Sequence, residues 1–275
     1  MARPDNPSHP PRPEPAPAPL TVCVLASGSR GNAIYVADAT TAVLIDAGLS
    51  GVEIERRLRS RGLSPDRLNA VLVTHEHDDH IRGVGVLSRR YRLPVYITAP
   101  TLKVAGAQLG RLHAICDFQC GHGFQIDALH FRPFALCHDA EDPTGFTVSA
   151  NGTRLGIATD LGIATALVHE NLKDCAALIL EANHDPLMLE NGPYPWPLKQ
   201  RIKSRSGHLA NSEARQLLSA VRHPRLRHVI LAHLSEKNNS PEKALAEVGL
   251  ALQQACGIDL TVAAQESAGH LIALP

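Results

Sequence analysis

The predicted strand Ala70–Thr74 runs directly into the sequence His-Glu-His-Asp-Asp-His at residues 75–80. In a turn from strand to helix, His75 and His77 can converge on one cation while Asp79 and His80 turn toward a second. Imidazole and carboxylate ligands of this kind suit Zn²⁺, Mn²⁺ or Fe. A polar loop with chance histidines is the alternative, and it leaves the regular spacing unexplained. The stretch therefore predicts a site for two divalent transition-metal ions at the end of a strand.

Composition agrees with a metal-binding enzyme that has a sizeable core. The chain carries 15 histidines in 275 residues, and metal binding is a common use of imidazole. Hydrophobic residues make up 44% but aromatic residues only 4%, which predicts an aliphatic core. The formal net charge is zero, which argues against a protein that coats nucleic acid by bulk charge but leaves a local basic groove open.

Cysteine usage and the N-terminal composition favour a cytoplasmic protein. None of the six cysteines forms a CxxC pair, so reduced thiols are expected rather than a zinc knuckle or a redox motif. No apolar run approaches the ~20 residues that a membrane-spanning helix needs. Eight prolines fall within residues 1–20, which predicts a disordered tail rather than a signal peptide. A docking role for this tail is the alternative to a passive one.

Short apolar runs alternate with helical patterns along the rest of the chain. Strands are predicted at Thr21–Ala26, Ala33–Ala37, Ala42–Asp46, Ala70–Thr74, Val95–Thr98, Phe124–Phe134, Thr144–Ala150, Arg154–Thr159, Ala177–Glu181, His228–Ala232 and Asp259–Ala263. Helices are predicted at Gly51–Arg61, Ile81–Tyr91, Ile163–Glu170, Pro197–Lys203, Asn211–Val221 and Pro241–Gln254. This order predicts an α/β fold, a four-layer αββα sandwich of two mixed sheets flanked by helices, formed by one domain over residues 21–275.

The HxHxDH motif at residues 75–80 resembles the signature of the metallo-β-lactamase superfamily, and four further residues match its other motifs in order. The resemblance implies that Asp46 orients the HxHxDH loop from outside the ligand shell. It implies that His138, after the predicted strand Phe131–Cys137, is the third histidine of the first metal site. Asp160 would bridge both metals, and His233 would complete the second site.

The chemistry that such ligands support is hydrolysis. Two neighbouring cations lower the pKa of a shared water to about 7 and so make a nucleophile at neutral pH. Asp79 is expected to hold or deprotonate that water. Such pairs serve phosphodiesters and thioesters alike, so the predicted metal ligands do not name the substrate.

Four stretches resemble a narrower group, the YycJ (WalJ, VicX) proteins of bacteria. They are Leu25–Asn32, Glu181–Asp185, Ser206–Asn211 and Leu231–Pro241, and the resemblance covers about residues 21–262. It implies a 5′-to-3′ exonuclease acting on DNA, with a link to mismatch repair. The kinship of the group with tRNase Z and RNase J implies phosphodiester cleavage more generally.

Two segments are candidates for holding a phosphate. The first is a Gly/Ser loop in which Ser27, Ser29, Arg30 and Asn32 could cradle the anion; a plain β-turn is the alternative. In the second, Ser206 and His208 follow four basic residues, which are Lys199, Arg201, Lys203 and Arg205.

His208 has two competing interpretations, and so has the basic strip before it. His208 could bind the scissile phosphate or protonate the leaving oxygen. Alternatively, it caps the helix that begins at Asn211. The basic strip could equally be a solvated helix face.

Two other functions compete with the DNA exonuclease. One is a small-molecule hydrolase, such as a cyclic-phosphate phosphodiesterase or a glyoxalase-type thioesterase. The other is a regulatory protein that kept the fold and lost catalysis, which the full set of predicted ligands argues against. A secreted β-lactamase is disfavoured because no export signal is predicted. The sequence does not identify a protein partner.

Overall fold

The computed structural model describes residues 19–253 and 257–274. Most of the predicted Pro-rich tail, residues 1–18, lies outside the described residues, as does Gln254 at the end of the last predicted helix. The first strand already includes Leu20, one residue before its predicted start. No helix in the described ranges is long and apolar enough to cross a membrane.

Fourteen strands are found in the described ranges. They are β1 Leu20–Ala26, β2 Ala33–Ala37, β3 Ala42–Ile45, β4 Ala70–Leu72, β5 Pro94–Ile97, β6 Ala114–Asp117, β7 Phe124–Ile126, β8 Leu129–Ala135, β9 Thr144–Ala150, β10 Thr153–Ala158, β11 Ala177–Glu181, β12 His228–Ala232, β13 Asp259–Val262 and β14 Ile272–Leu274. They form two seven-stranded mixed sheets, in the orders β14-β1-β2-β3-β4-β5-β6 and β13-β12-β11-β10-β9-β8-β7. Strands β3 to β6 run parallel in the first sheet and β10 to β13 in the second.

Nine α-helices connect these strands in the described part of the chain. They are α1 Gly51–Ser60, α2 Asp78–Ile81, α3 Val84–Tyr91, α4 Ala99–Leu109, α5 Ala166–Leu172, α6 Pro186–Asn191, α7 Trp196–Ile202, α8 Asn211–Val221 and α9 Pro241–Gly249. Short 3₁₀ turns occur at Pro65–Arg67 and Leu250–Leu252.

Three hydrophobic cores separate four layers, as predicted for the αββα sandwich. Successive strand residues point to opposite faces of a sheet. In β3, Val43 and Ile45 accordingly enter the core between the two sheets, whereas Leu44 enters the core under α1 and α3. In β11, Ile179 enters the central core and Leu180 enters the core under α5, α8 and α9. Both sheets are thus apolar on both faces.

Several element predictions were wrong in detail. The helix predicted over Ile81–Tyr91 is two helices, because Gly83 interrupts it. The Gly83 amide donates to the carbonyl oxygen of Ala47, and a Cβ at Gly83 would lie 2.4 Å from the carbonyl oxygen of Leu49. The predicted strand Phe124–Phe134 is the hairpin β7–β8, with Asp127 at φ 47° in its turn. Strand β8 ends at Ala135, two residues before its predicted end at Cys137.

The carboxyl ends of the central strands of both sheets meet at one edge of the sandwich. Every predicted metal ligand follows one of these ends: residues 75–80 follow β4, His138 follows β8, Asp160 follows β10 and His233 follows β12. Ligands in open α/β sheets bind at the carboxyl ends of strands, where loops can be shaped without disturbing the sheet. The fold therefore assembles one site from segments that lie far apart in the sequence.

Gly48, in the loop after β3, packs tightly against the backbone of the 75–80 loop, and we expect this position to tolerate no side chain. A Cβ on Gly48 would lie 1.6 Å from the backbone oxygen of Asp79 and 2.7 Å from the amide nitrogen of Asn32. Gly48→Ala should therefore displace the 75–80 loop and lower the free energy of unfolding by about 1–3 kcal/mol or more. Urea denaturation measures this loss, and metal content should fall with it.

Gly106→Ala is the matched control for Gly48→Ala. Gly106 lies inside α4, and a Cβ added to it would meet nothing within 4 Å. Alanine is a better helix former than glycine, so this variant should be neutral or more stable by up to about 1 kcal/mol. Unchanged stability and metal content in Gly48→Ala would contradict the role given to this contact.

Candidate metal centre

Three imidazoles converge where β4 and β8 end. Nε2 of His75 lies 3.1 Å from Nδ1 of His77, and Nδ1 of His77 lies 3.3 Å from Nε2 of His138. The three nitrogens lie within 4.8 Å of one another, which allows them to share one cation. Zinc sites commonly use three such nitrogens at about 2.0–2.1 Å from the metal. The structure thus brings together the three predicted histidines of the first site.

A second group of ligand atoms lies beside the first. Oδ2 of Asp79 lies 3.7 Å from Nε2 of His80 and 3.6 Å from Nε2 of His233. Asp160 stands between the groups, with Oδ2 at 3.4 Å from Nε2 of His80 and Oδ1 at 4.0 Å from Nε2 of His138. The carboxylate of Asp160 can therefore contact a cation in each group, which is the geometry of a bridging ligand.

Unsatisfied buried atoms test whether these residues fit cations. Oδ2 of Asp160 and Nε2 of His233 are buried, and neither has a hydrogen-bond partner in the described part of the chain. A buried polar atom without a partner is costly and therefore rare in native proteins. Both atoms face the ligand groups. A carboxylate oxygen and an imidazole nitrogen are also ligand atoms that divalent transition metals bind. The residues present fit two divalent metal ions.

Asp46, which the resemblance implied would orient the 75–80 loop, is hydrogen-bonded to that loop. Its carboxylate accepts hydrogen bonds from the amide of Thr74 (2.8 Å), the hydroxyl of Thr74 (2.8 Å) and Nδ1 of His80 (2.7 Å). The Thr74 hydroxyl oxygen in turn lies 2.9 Å from Nδ1 of His75. These bonds fix the Nδ1–H tautomer of both rings and direct Nε2 of each ring into the site.

Two further histidines of the predicted ligand set, His138 and His233, are oriented in the same way. Nδ1 of His138 donates to the carbonyl oxygen of Gly207 at 3.1 Å. Nδ1 of His233 donates to Oε1 of Glu181 at 2.8 Å, and it also lies 3.1 Å from Oδ1 of Asp160. Each ring therefore presents Nε2 to the site.

Glu181 is a functional residue that the sequence reasoning did not assign. It is fully buried at the end of β11, and its Oε1 accepts from Nδ1 of both His208 and His233, each at 2.8 Å. Its Oε2 accepts from the amides of Leu161 and Leu209. Burial alone would raise the pKa of Glu181, but His208 and His233 hold it at about 2. The sequence signal that could have identified Glu181 is its position directly after the apolar run Ala177–Leu180, because a buried acid requires partners.

Three residues of this site have a left-handed backbone conformation, which is unfavourable for residues other than glycine. Asp46, Asp160 and His233 have φ values of 61°, 61° and 56°. Left-handed backbone at a non-glycine residue costs of order 1–3 kcal/mol and is concentrated at functional sites. Each residue follows a central strand, where the left-handed turn directs its side chain back across the strand end.

The charges of the site favour a bound cation. Burial alone would lower the pKa of the His80 and His233 rings, but Asp160 and its neighbouring carboxylates raise the pKa of both well above the usual value. Burial and the neighbouring imidazoles instead lower the pKa of His75 and keep that ring neutral, which is the form that binds metal. The site thus combines excess negative charge with neutral nitrogen donors.

A cavity of about 410 Å³ opens beside the ligand groups. Ser29 and His208 line it, together with His77, Asp79, His138, Asp160, Tyr194, Leu198, Arg201, Ile202 and His233. The His208 ring centroid lies 5.1 Å from those of both His138 and His233. Of the residues predicted to hold a phosphate, Ser29 and His208 therefore reach the cavity beside the metal ligands.

The remaining predicted phosphate residues make contacts within the protein. The Ser27 hydroxyl accepts from the amide of His233 at 2.7 Å. The Asn32 amide lies 3.2 Å from Oδ2 of Asp79 and 3.0 Å from Nε2 of His80, while Oδ1 of Asn32 accepts from the amide of Gly28. These contacts tie the Gly/Ser loop to the metal ligands.

Arg30 and Ser206 are also engaged, but nearer the surface. The exposed Arg30 guanidinium pairs with Glu236 and Glu266. The half-buried Ser206 hydroxyl lies 3.4 Å from that of Ser204. In the basic strip, Arg201 pairs with Asp139, and Nζ of Lys199 donates to the carbonyl oxygen of Glu190.

Known proteins share both the sequence and the fold. A family profile described as “Beta-lactamase superfamily domain” matches residues 41–234. The exodeoxyribonuclease YycJ of Bacillus anthracis is 36% identical over 237 residues, which cover 86% of this chain and 90% of that protein. The exodeoxyribonuclease WalJ of Streptococcus pneumoniae strain D39 is 34% identical over 246 residues, which cover 87% and 91%.

A solved structure agrees with the fold. The metallo-β-lactamase fold protein YhfI from Bacillus subtilis superposes with a TM-score of 0.72 at 15% identity, over 92% of this chain and 99% of that chain. The layered sheets, the HxHxDH loop and the two relatives that match most of the chain all indicate the same family. The chain belongs to the metallo-β-lactamase superfamily, in the group that contains YycJ and WalJ.

Proposed function

We propose that this protein is a dinuclear metal-dependent exonuclease that hydrolyses DNA from the 5′ end. The observation that carries the proposal is the position of Asp160 between two groups of ligand atoms, with Glu181 and His208 beside them. The relatives at 34–36% identity are named exodeoxyribonucleases, which supports DNA as the substrate. A DNA substrate also supports a cytoplasmic location, and a mismatch-repair partner stays a prediction.

The ligand set favours Zn²⁺ or Mn²⁺, with Fe as a further candidate. Two such cations would lower the pKa of a water molecule to about 7 and neutralise charge on the phosphodiester. Asp79, whose Oδ2 lies 3.7 Å from Nε2 of His80 and 3.6 Å from Nε2 of His233, would hold the attacking water or accept its proton. The Asn32 amide, 3.2 Å from Oδ2 of Asp79, keeps that carboxylate turned toward the cavity.

His208 is suited to act on the leaving side of the reaction. Its Nδ1 donates to Oε1 of the ionised Glu181, so its Nε2 is the nitrogen left for substrate. From there His208 would bind the scissile phosphate or protonate the leaving oxygen. Ser29, at the cavity wall, would contact a neighbouring phosphate oxygen.

End-labelled DNA tests the proposed reaction directly. Purified, Mn²⁺-loaded protein should release mononucleotides from duplex or single-stranded DNA, starting at the 5′ end only. Substrates with 5′-phosphate and 5′-hydroxyl ends, labelled at either terminus, report the polarity. Internal cuts, or turnover of a cyclic phosphodiester or thioester without DNA degradation, would contradict the proposal in favour of another hydrolase.

The two ligand groups predict a defined metal stoichiometry. Wild-type protein should bind two divalent cations per chain, whereas Asp79→Ala should keep the three-histidine site and bind about one. Asp79→Ala and His80→Ala should both lose hydrolysis while keeping the fold by circular dichroism, because each removes a ligand of the second group. Native mass spectrometry counts the ions, and retained activity would refute the assigned roles.

Asp78→Asn is the matched control for Asp79→Ala. Asp78 lines the same cavity but belongs to none of the ligand groups, and its carboxylate pairs with Arg82 and accepts from Nε2 of Gln108 at 2.6 Å. We expect this variant to bind two cations. If it lost one ion as Asp79→Ala does, the loss would report the local charge rather than direct ligation.

His208→Ala should lower turnover by about 10²–10⁴-fold, the usual contribution of a positioned acid or base. Metal content should stay at two ions, because the ligand rings are held by other hydrogen bonds. Steady-state kinetics and metal analysis on the same sample separate the two effects. An equal loss of turnover and metal would make His208 structural.

A further inference from the structure

Trp196 is the only tryptophan in the sequence, and it is 68% exposed at the first residue of α7. The packing of Phe118, Phe131, Phe134 and Phe146 in the cores shows that this chain otherwise buries large rings. Tryptophan and tyrosine on a surface are typical of binding sites, because they offer a large contact area with few rotatable bonds. The proposed chemistry leaves Trp196 without a role.

Prolines flank both aromatic rings of this segment, the half-buried Tyr194 and the exposed Trp196. The sequence over residues 193–197 is Pro-Tyr-Pro-Trp-Pro, with Tyr194 and Trp196 at alternate positions. Proline fixes φ near −65°, so the backbone that carries these rings has little freedom to lose. The segment is therefore prepared to hold two aromatic rings in place when a ligand binds.

Helix α7 separates the cavity from the outer surface. Tyr194, just before the helix, and Leu198, Arg201 and Ile202 line the cavity beside the metal ligands. Trp196, Lys199 and Lys203 are three and four residues apart, so they share the other face of the helix. The ring of Tyr194 thus lines the cavity, whereas the ring of Trp196 lies on the outer face of α7.

The positive charge of the segment between Glu190 and Glu213 favours binding of a polyanion. No acidic residue occurs between Glu190 and Glu213, whereas Lys199, Arg201, Lys203 and Arg205 all fall within that interval. Asp139 offsets Arg201, but Lys203 and Arg205 are exposed, and neither makes a side-chain ion pair in the described part of the chain. An apolar protein partner would not need this charge, and a strand of nucleic acid would.

We propose that residues 193–205 grip a single strand of DNA. Tyr194 stacks on the base of the nucleotide whose phosphodiester enters the metal centre, and Trp196 stacks on a neighbouring unpaired base. Aromatic platforms along a positively charged groove are how proteins hold single strands without reading sequence. Bases inside a duplex cannot offer their faces, so the 5′ end of a duplex must fray before its strand is gripped. This inference rests on the proposed exonuclease function.

Because Trp196 is the sole tryptophan, its fluorescence reports the contact directly. Phosphorothioate-linked oligothymidylate, which resists cleavage, should quench the emission of the metal-loaded protein, and a blunt duplex should quench it less. Trp196→Ala should weaken oligothymidylate binding by about 5–150-fold, the range expected for loss of one base–aromatic stack. Trp196→Phe should retain most of the affinity by fluorescence anisotropy of a labelled strand.

Val52→Ala is the control for loss of an exposed apolar side chain, since Val52 is 65% exposed on α1. It should bind DNA as the wild type does. Hydrolysis of bis(p-nitrophenyl) phosphate, which has no bases, should be unchanged in Trp196→Ala. A parallel loss of that hydrolysis would make Trp196 structural and overturn the proposal.

Two further outcomes would overturn the proposed grip on a single strand. Emission that stays constant at saturating oligothymidylate would show that Trp196 does not meet the bases. Emission that shifts with protein concentration alone would show that the patch joins two copies of the chain. Quenching without any DNA cleavage would instead remove the exonuclease function and leave the single-strand grip standing.

Discussion

The buried carboxylate of Asp160 is the constraint on which the site depends. It is almost inaccessible to solvent, one of its oxygens has no hydrogen-bond partner in the described residues, and four histidine rings lie around it, those of His75, His80, His138 and His233. Burying a charge is costly unless it is paired. Positive charge from His80 and His233 holds the pKa of Asp160 well below its usual value even though burial opposes this. Divalent cations would take the place of the protons that the neighbouring carboxylates otherwise favour on those rings.

That constraint explains why the supporting residues are so strictly arranged. A bridging carboxylate is useful only if both ligand groups keep their geometry, and each group comes from separate strand ends. Asp46 locks the first sheet's loop through Thr74 and His80, while Glu181 locks the second sheet's side through His208 and His233. Two buried carboxylates thus perform the same task on opposite sides of the centre. The strained backbone at Asp46, Asp160 and His233 is the local cost of aiming these side chains.

The sequence predicted the fold class and the strands that lead into the site, because each is a local apolar run, and the residues predicted as ligands lie together at the ends of those strands. Elements defined by distant pairing or weak patterns were missed. Strand β14 is three residues long and exists because Ile272 pairs with Val22 at the opposite end of the chain. Helices α4 and α6 and strand β6 were also missed; α4 contains Gly106 and has only a modest apolar stripe. Glu181 was not assigned a role because, although an acid after an apolar run is a local signal, the two histidines that it contacts lie 27 and 52 residues away in the sequence.

The zero net charge of the chain is compatible with a DNA substrate once the position of the charges is considered. The formal count includes Asp46, Asp79, Asp160 and Glu181, which lie in or behind the metal centre and face histidines rather than solvent. Two divalent cations would offset those four negative charges. The charge that a DNA strand meets is set instead by surface segments, and the interval between Glu190 and Glu213 carries four basic residues and no acid. Binding through a short basic segment of this kind releases few counterions, so aromatic stacking has to supply much of the affinity. A neutral chain with an exposed tryptophan beside its catalytic cavity meets that requirement.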